Sequence, residues 1–321
     1  MMNLEFLWTS ERAEHRRMAF QHASNTMRNH FFYEEDDDKK ARPIAYHVFD
    51  YGEKKPGNWQ GLGNRSAWAR GQGWAIYGFA VSSIYAKKYP KDAQNNIAYD
   101  AFVEKLYQSL EYYLVDDKVP LWDFFADRDT AYDIASNTRS DTTRFHNMFS
   151  LCIDHLPEHI TPYSGFNPIA FPDDIISKNG LGFLSDKKNR YGGKILQKNE
   201  VVSCGRKPYM TQGRELPRDT SAAALYAGAL YRMADFVIED TKRSKKYESL
   251  ADSVMAELSE RYRTDTKKDI GYKLGFVLDS ATGNLPRGTE IDTGIVYGDY
   301  FFIEANIYKL KLLAKRSKSK R

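Results

Sequence analysis

The chain is poor in the features that usually assign a class at sight. It holds two cysteines in 321 residues, Cys152 and Cys204, which make neither a disulfide framework nor a zinc-finger spacing. No apolar run approaches the ~20 residues of a membrane-spanning helix, so no span is expected. The opening MMNLEFLWTS lacks the basic lead, the long unbroken apolar stretch and the small-residue cleavage site of a signal peptide. It also lacks a polar lead-in or a capping residue. Met2, Leu4, Phe6, Leu7 and Trp8 therefore read as a buried helix entered abruptly.

Charge of one sign is scarce except at one end. The formal balance is +4, but Lys309, Lys311, Lys315, Arg316, Lys318, Lys320 and Arg321 crowd the tail, and without those seven it is −3. A frayed, solvated terminus is the reading adopted, with no nucleic-acid and no membrane partner expected. What is abundant is apolar and aromatic matter. A 42% hydrophobic content is ample for a core. The 22 Tyr, 18 Phe and 5 Trp exceed what a core alone needs, and rings with a polar edge suit sugar-binding clefts.

Apolar residues recur with helical period, and the helices come in pairs. Residues 1–9 and 15–31 form the first pair, with the acidic run Glu34–Asp38 beyond it as a solvated loop. Residues 44–50 read as a short strand before a glycine-rich loop. Ser66 is placed to cap the next helix, which Pro90 stops, and its partner covers 95–115. Later helices cover 219–238, 244–264 and 294–315, and Ala222, Ala223, Ala224, Ala227, Gly228 and Ala229 allow close helix approach. Between Asp127 and Pro217 the helical rhythm is lost over a stretch too long for a simple connection. The expected organisation is thus 1–127 helical hairpins, 128–216 an insertion or irregular lobe, and 217–321 further helices. Cys152, His155 and His159 have helical spacing inside the insertion, but Pro157 separates the histidines and no carboxylate completes a set, so no metal and no cofactor is expected.

The passage NWQGLGNRSAWARGQGWAIYGF, residues 58–79, carries the candidate chemistry. Trp68, Arg70, Gln72 and Trp74 crowd the start of a helix just after a loop holding Trp59 and Gln60. Indole faces stack on sugar rings, a guanidinium fork grips a carboxylate at two points, and amides bind hydroxyls. Together they suit an acidic sugar. They equally suit a tightly packed helix start in which Trp68 and Trp74 are core and Arg70 pairs with an acid.

This passage resembles the corresponding segment of glycoside hydrolase family 88, the unsaturated glucuronyl hydrolases, with Trp59 where the family has His and Gly73 where it has Ala. Further family-like blocks follow in order: YHVFD at 46–50, LWDFFAD at 121–127, PRDTSAAA at 217–224, TGNLPRGTEID at 282–292 and VYGDYFFIEA at 296–305. The resemblance implies an all-α fold, an (α/α)6 barrel. This chain would supply about seven of the twelve helices, leaving apolar edges that could drive self-association. It implies a hydrolase that hydrates the 4,5 double bond of an unsaturated uronic acid at the non-reducing end of a lyase-generated oligosaccharide. The unsaturated rhamnogalacturonyl hydrolases, which share that fold and chemistry, are the enzymatic alternative, and a non-catalytic uronide-binding remnant is the other. The compartment, bacterial cytoplasm or periplasm, stays undecided.

Residue by residue, the resemblance places substrate binding on His47, Gln60, Trp68, Arg70 and Trp74, with Arg70 nearest the uronate carboxylate. The Thr282–Asn284 loop would border the leaving-sugar subsite, although Ser280 stands where relatives often have His. The family's proton-donating aspartate lies just ahead of a sequence like MMNL, so it is expected two residues before Met1 and no catalytic residue is assigned in the chain. Asp123, Asp219 and Asp299 lie in family-like blocks but read as structural, Asp219 as a helix cap and the others as anchors of hydrogen bonds.

Overall fold

A computed structural model describes residues 1–35, 40–94, 98–114, 118–126, 217–264, 270–287 and 290–319. The expected insertion at 128–216, with Cys152, His155 and His159, lies outside them. Helices α1 (Leu4–Trp8) and α2 (Ala13–Asn29) open the chain. Strands β1 (Phe31–Glu35), β2 (Ala41–Ala45), β3 (Val48–Asp50) and β4 (Lys55–Gly57) follow, then α3 (Ala69–Lys88) and α4 (Ala98–Tyr113). Beyond the insertion come α5 (Thr220–Phe236), α6 (Thr241–Arg261), the short α7 (Ile270–Lys273) and α8 (Val296–Ser319).

The architecture is mostly helical, in two layers. Helices α1, α3, α5 and α8 pack in that order as one row, while α2 lies against α1 and α3, α4 against α3, and α6 against α5. The row helices α3 and α5 are buried on nearly every face. Small side chains make this possible, because a helix enclosed all round must let its neighbours approach closely. Gly73 shows how tight the contact is: a Cβ there would lie 3.1 Å from Leu225 Cβ. The outer α6 instead buries one stripe, Tyr247, Ala251, Val254, Met255 and Leu258, at helical spacing.

A polar contact ties the four row helices together. Arg232 of α5 donates to Glu5 of α1 and, at 2.8 Å, to Tyr77 OH of α3, which itself lies 2.9 Å from Glu304 of α8. The two carboxylates are driven apart. Burial works against the charge on Glu5, but Arg232 and Tyr77 outweigh it and hold its pKa low, whereas burial dominates at Glu304 and raises it.

Several expectations are corrected. The helix expected over 15–31 stops at Asn29, because Phe31–Glu35 pairs antiparallel with Ala41–Ala45, register Phe31 to Ala45. Aromatic residues favour strands once a partner is present, so Glu34 and Glu35 of the acidic run sit in β1 and not in a loop. The strand expected at 44–50 is two, β2 and β3, and β4 falls inside the supposed loop. The fold is therefore mostly rather than wholly helical. Ser66 does not cap α3; its hydroxyl donates to Asp123 Oδ2 at 2.7 Å and Trp68 holds the cap position.

The basic tail is helical to Ser319 rather than frayed. Lys309 pairs with Glu248 (2.9 Å) and Asp252 (2.7 Å), Lys315 with Asp235 (2.7 Å), and Arg316 with Glu248. Lys309, Lys315 and Arg316 thus face carboxylates of α5 and α6. On the other side of α8, Tyr300, Ile303, Ile307 and Leu310 form an exposed apolar stripe. No helix among the described residues is long and apolar enough to cross a membrane.

Asp123 is the polar anchor below the site. It is fully buried and accepts from Leu62 N (2.9 Å), Ser66 Oγ (2.7 Å), Ala67 N (3.1 Å) and Phe125 N (3.0 Å). It fastens the glycine-rich loop to the 121–126 segment, as its reading as an anchor required. Asp123→Ala strands these donors without water, and each unsatisfied buried group costs about 1–3 kcal/mol. A loss of roughly 3 kcal/mol or more in urea unfolding, with an unchanged m-value, is the expected result.

Candidate functional site

The candidate site lies where α3 and α5 begin. Trp68 precedes the first turn of α3, and its backbone pairs with Asp123 as an isolated antiparallel bridge. Ala69 N donates to Trp122 O at 3.0 Å, so the helix start is hung on the 121–126 segment. From the strand side, Gln72 clamps β2, accepting from Ala45 N (2.9 Å) and donating to Ala45 O (3.0 Å). These bonds fix the height of His47, two residues past Ala45, against α3.

His47 and Trp68 meet edge to face, ring centroids 4.3 Å apart. The backbone N–H groups of Trp59 (2.8 Å) and Gln60 (3.2 Å) both donate to His47 Nδ1. Nδ1 also lies 3.2 Å from Asn58 Oδ1, so three polar groups of the 58–60 loop converge on it. Burial is the chief cause that lowers its pKa, to about 4, outweighing the neighbouring Asn58 and Gln60. Gln60 lies part-buried and donates to Gly283 O at 3.0 Å, while Trp59 stands 62% exposed beside it.

Arg70 is buried at the junction of three segments. Its Nη1 donates to Asp219 Oδ2 (2.5 Å), Ser221 Oγ (3.2 Å) and Thr282 O (3.0 Å), and its Nη2 to Gly283 O (2.8 Å). The guanidinium also lies over the Trp68 ring (4.7 Å) and the Tyr297 ring (5.4 Å). Asp219 caps α5, accepting from Ser221 N at 3.2 Å, as its sequence position implied. Burial pushes the Asp219 carboxyl up, and the Arg70 charge and the Ser221 donors pull it back.

The structure thus brings His47, Gln60, Trp68 and Arg70 together. Trp74, one turn beyond Arg70, is half-buried and sets its ring edge-on to Phe301 at 5.4 Å. Gln72 is a clamp on β2. Asp299 accepts from Val277 N (3.0 Å) and Leu278 N (2.8 Å), again an anchor. Sequence reasoning missed Ser221, Tyr297 and the carbonyls of Thr282 and Gly283 as partners of Arg70. Backbone acceptors more than 200 residues from the donor leave no trace in a residue pattern. Among the described residues no cluster of His, Cys, Asp or Glu could hold a metal ion.

No protein-family model matches the chain. Over 98% of its length it is 27% identical to the unsaturated glucuronyl hydrolase of Formosa agariphila, of which it covers 54%. A stretch covering 40% of the chain is 32% identical to the unsaturated chondroitin disaccharide hydrolase of Streptococcus agalactiae and covers 31% of that protein. Among solved structures, an unsaturated glucuronyl hydrolase specific for heparin matches with a TM-score of 0.55 at 25% identity, over 99% of this chain and 58% of that one. The likeness to unsaturated glucuronyl hydrolases read from the ordered blocks therefore holds along nearly the whole chain, and the chain spans about half the length of the Formosa agariphila relative.

The His47 environment predicts a pH dependence. The unfolded chain takes up a proton near pH 6.5, whereas the folded imidazole does so only near 4. Between those values the unfolded state binds more protons, so stability falls as pH is lowered from about 6.5 to about 4. At ~1.4 kcal/mol per pH unit over that span, and less near each pKa, the change is on the order of 3 kcal/mol. Denaturant melts of wild type and His47→Asn across pH 7 to 4 check it: the variant is expected to lose that part of the slope.

Proposed function

We propose that this chain, similar along its length to the unsaturated glucuronyl hydrolases, carries the sugar-binding wall of such a site. It would receive the unsaturated uronic acid at the non-reducing end of a lyase-generated oligosaccharide. The observation that carries the reading is the convergence of His47, Gln60, Trp68 and Arg70 at the start of α3, with the exposed Trp59 beside them. The exposed Trp59 indole offers a stacking face for a pyranose ring, whereas Trp68 is buried under Arg70 and His47. The His47 imidazole, neutral near pH 7 because burial lowers its pKa to about 4, offers a polar ring edge to a hydroxyl without adding charge.

The reaction that this likeness implies is a hydration. A carboxylic acid gives its proton to C4 of the 4,5-unsaturated uronic acid, water adds at C5, and the resulting hemiketal opens and expels the neighbouring sugar. Asp123, Asp219 and Asp299 are each held by hydrogen-bond donors, so none is assigned that proton transfer. The row α1, α3, α5, α8 with its outer helices supports reading 1–127 and 217–321 as parts of one (α/α)6 ring with 128–216 inserted between them. The exposed stripe of α8 supports self-association, which sedimentation velocity would show as an oligomer that Ile303→Lys shifts toward monomer.

Calorimetry with the unsaturated disaccharides released by lyases from chondroitin and heparin tests the binding reading, and loss of their ultraviolet absorbance tests turnover. Binding is expected, weakened about tenfold or more in Trp59→Ala, the size of one lost stacking contact on the exposed indole. Binding with turnover marks the enzyme, and binding without it the non-catalytic remnant. Failure to bind either disaccharide removes the proposal.

A further inference from the structure

We infer that Glu304 is a proton site: at a pH where exposed carboxylates are ionised it remains a carboxylic acid, hydrogen-bonded to Tyr77, and this makes the junction of α1, α3, α5 and α8 sensitive to pH. The inference stands independently of any sugar bound at the start of α3.

A count of protons carries it. Tyr77 Oη lies 2.9 Å from Glu5 Oε2 and 2.9 Å from Glu304 Oε2, and Arg232 Nη1 donates to it at 2.8 Å. A phenol has one proton and so serves one carboxylate at a time. The other carboxylate oxygen then faces a lone pair, and at that distance the contact is a hydrogen bond only if the carboxyl brings a proton of its own. Arg232 decides which one does. Its Nη1 donates to Glu5 Oε2 at 2.9 Å and its Nη2 to Glu5 Oε1, a two-point pair that fixes Glu5 as the anion. Glu304 is left as the acid.

The surroundings of Glu304 agree. Gly228 of α5 passes beside it without a side chain, and a Cβ there would lie 3.9 Å from Glu304 Oε2. Its Oε1 meets the neutral hydroxyls of Tyr300 (3.3 Å) and Tyr308 (3.4 Å), both beyond the length of a good O–H···O bond. Lys311, two turns along α8, is exposed, and its charge acts on Glu5. Two carboxyls therefore compete for one enclosed guanidinium, and like charge keeps one of them protonated. Burial is the chief cause that raises the Glu304 pKa, and the Glu5 charge adds to it against Tyr77 and Arg232.

Ionised, Glu304 repels Glu5 and competes with it for the Tyr77 proton. It lines an open groove with Tyr300, Ile303, Ile307, Tyr308 and Lys311, so it has a way out of the junction. What goes with it is the tie from α8 to Tyr77, and through Tyr77 to α1. A carboxyl whose folded pKa exceeds its unfolded value takes up a proton on folding in the interval between them. Its contribution is whole below the unfolded value, near 4.3, and is lost as pH rises through the folded one. That trend runs opposite to the one set by His47.

Carbon-13 NMR of the glutamate side-chain carboxyls in the full chain, titrated from pH 3 to 8, tests the inference. Glu304 is expected to titrate at higher pH than the exposed glutamates, and Glu5 at lower. In Glu5→Gln, which frees Arg232 for Glu304, the Glu304 titration is expected to fall to or below that of the exposed glutamates. Urea midpoints across the same range add a second readout. Glu304→Gln keeps an N–H for Tyr77 and cannot ionise, so wild type is expected to lose stability relative to it as pH rises through the Glu304 titration. A Glu304 carboxyl that titrates with or below the exposed glutamates overturns the inference. So does a high titration that stays in place in Glu5→Gln, or a constant difference between wild type and Glu304→Gln. Should a variant not fold, the wild-type titration, with each carboxyl assigned from its own backbone, decides alone.

Discussion

The buried ion pair of Arg70 and Asp219 joins the parts on which the site depends. Their side chains are 3% and 0% exposed, and their residues lie 149 positions apart. Taking two charges out of water costs several kcal/mol per ion, and only close geometry with additional hydrogen bonds repays it. Ser221 and the carbonyls of Thr282 and Gly283 supply those bonds. In doing so they bind the start of α3, the start of α5 and the Thr282–Gly283 backbone into one unit. A buried pair of this kind is weak evidence of net stability, but it specifies one arrangement strongly, since losing either partner strands a charge.

Below that junction the molecule repeats the same solution. Asp123 gathers four donors from the glycine-rich loop and the 121–126 segment, and Asp299 gathers the N–H groups of Val277 and Leu278. Buried carboxylates thus do the work of secondary structure where the chain is irregular, satisfying backbone groups that no helix or sheet reaches. Farther along the row, Arg232 between Glu5 and Tyr77, with Glu304 beyond, sets the register of α1, α3, α5 and α8. The small residues of α3 and α5 let these helices close on one another, and the polar groups decide where along their lengths they stop.

The helices were legible because apolar period is a local property. α5, α6 and α8 lie within a few residues of the spans read from the sequence, and Asp219 caps α5 as its place before the alanine run implied. Strands β1 and β4 were not legible, since β1 exists only because Ala41–Ala45 is there to pair with it and β4 because Val48–Asp50 is. Ser66 shows the same limit. A serine before a helix is a good cap by propensity, but Asp123, 57 residues away, offers its hydroxyl a charged acceptor. The tail was misread for a related reason: a run of lysines looks solvated until Glu248 and Asp252 of α6 and Asp235 of α5 are brought beside it.

The cluster itself divides along that line. Composition and spacing placed Trp68, Arg70, Gln72 and Trp74 at one helix start, and left open whether Arg70 would meet a sugar or an acid of the protein. The identity of its partner, the hydrogen bonds of His47 and the diversion of Gln72 to Ala45 were decided by segments far apart in the chain. Residue order alone determined the helical period, the capping aspartate and the family likeness, because each is written in neighbouring residues. Which groups remain open to a ligand was settled only by tertiary structure. A buried donor or charge takes whatever acceptor the fold brings within hydrogen-bonding distance, and sequence separation places no limit on that choice.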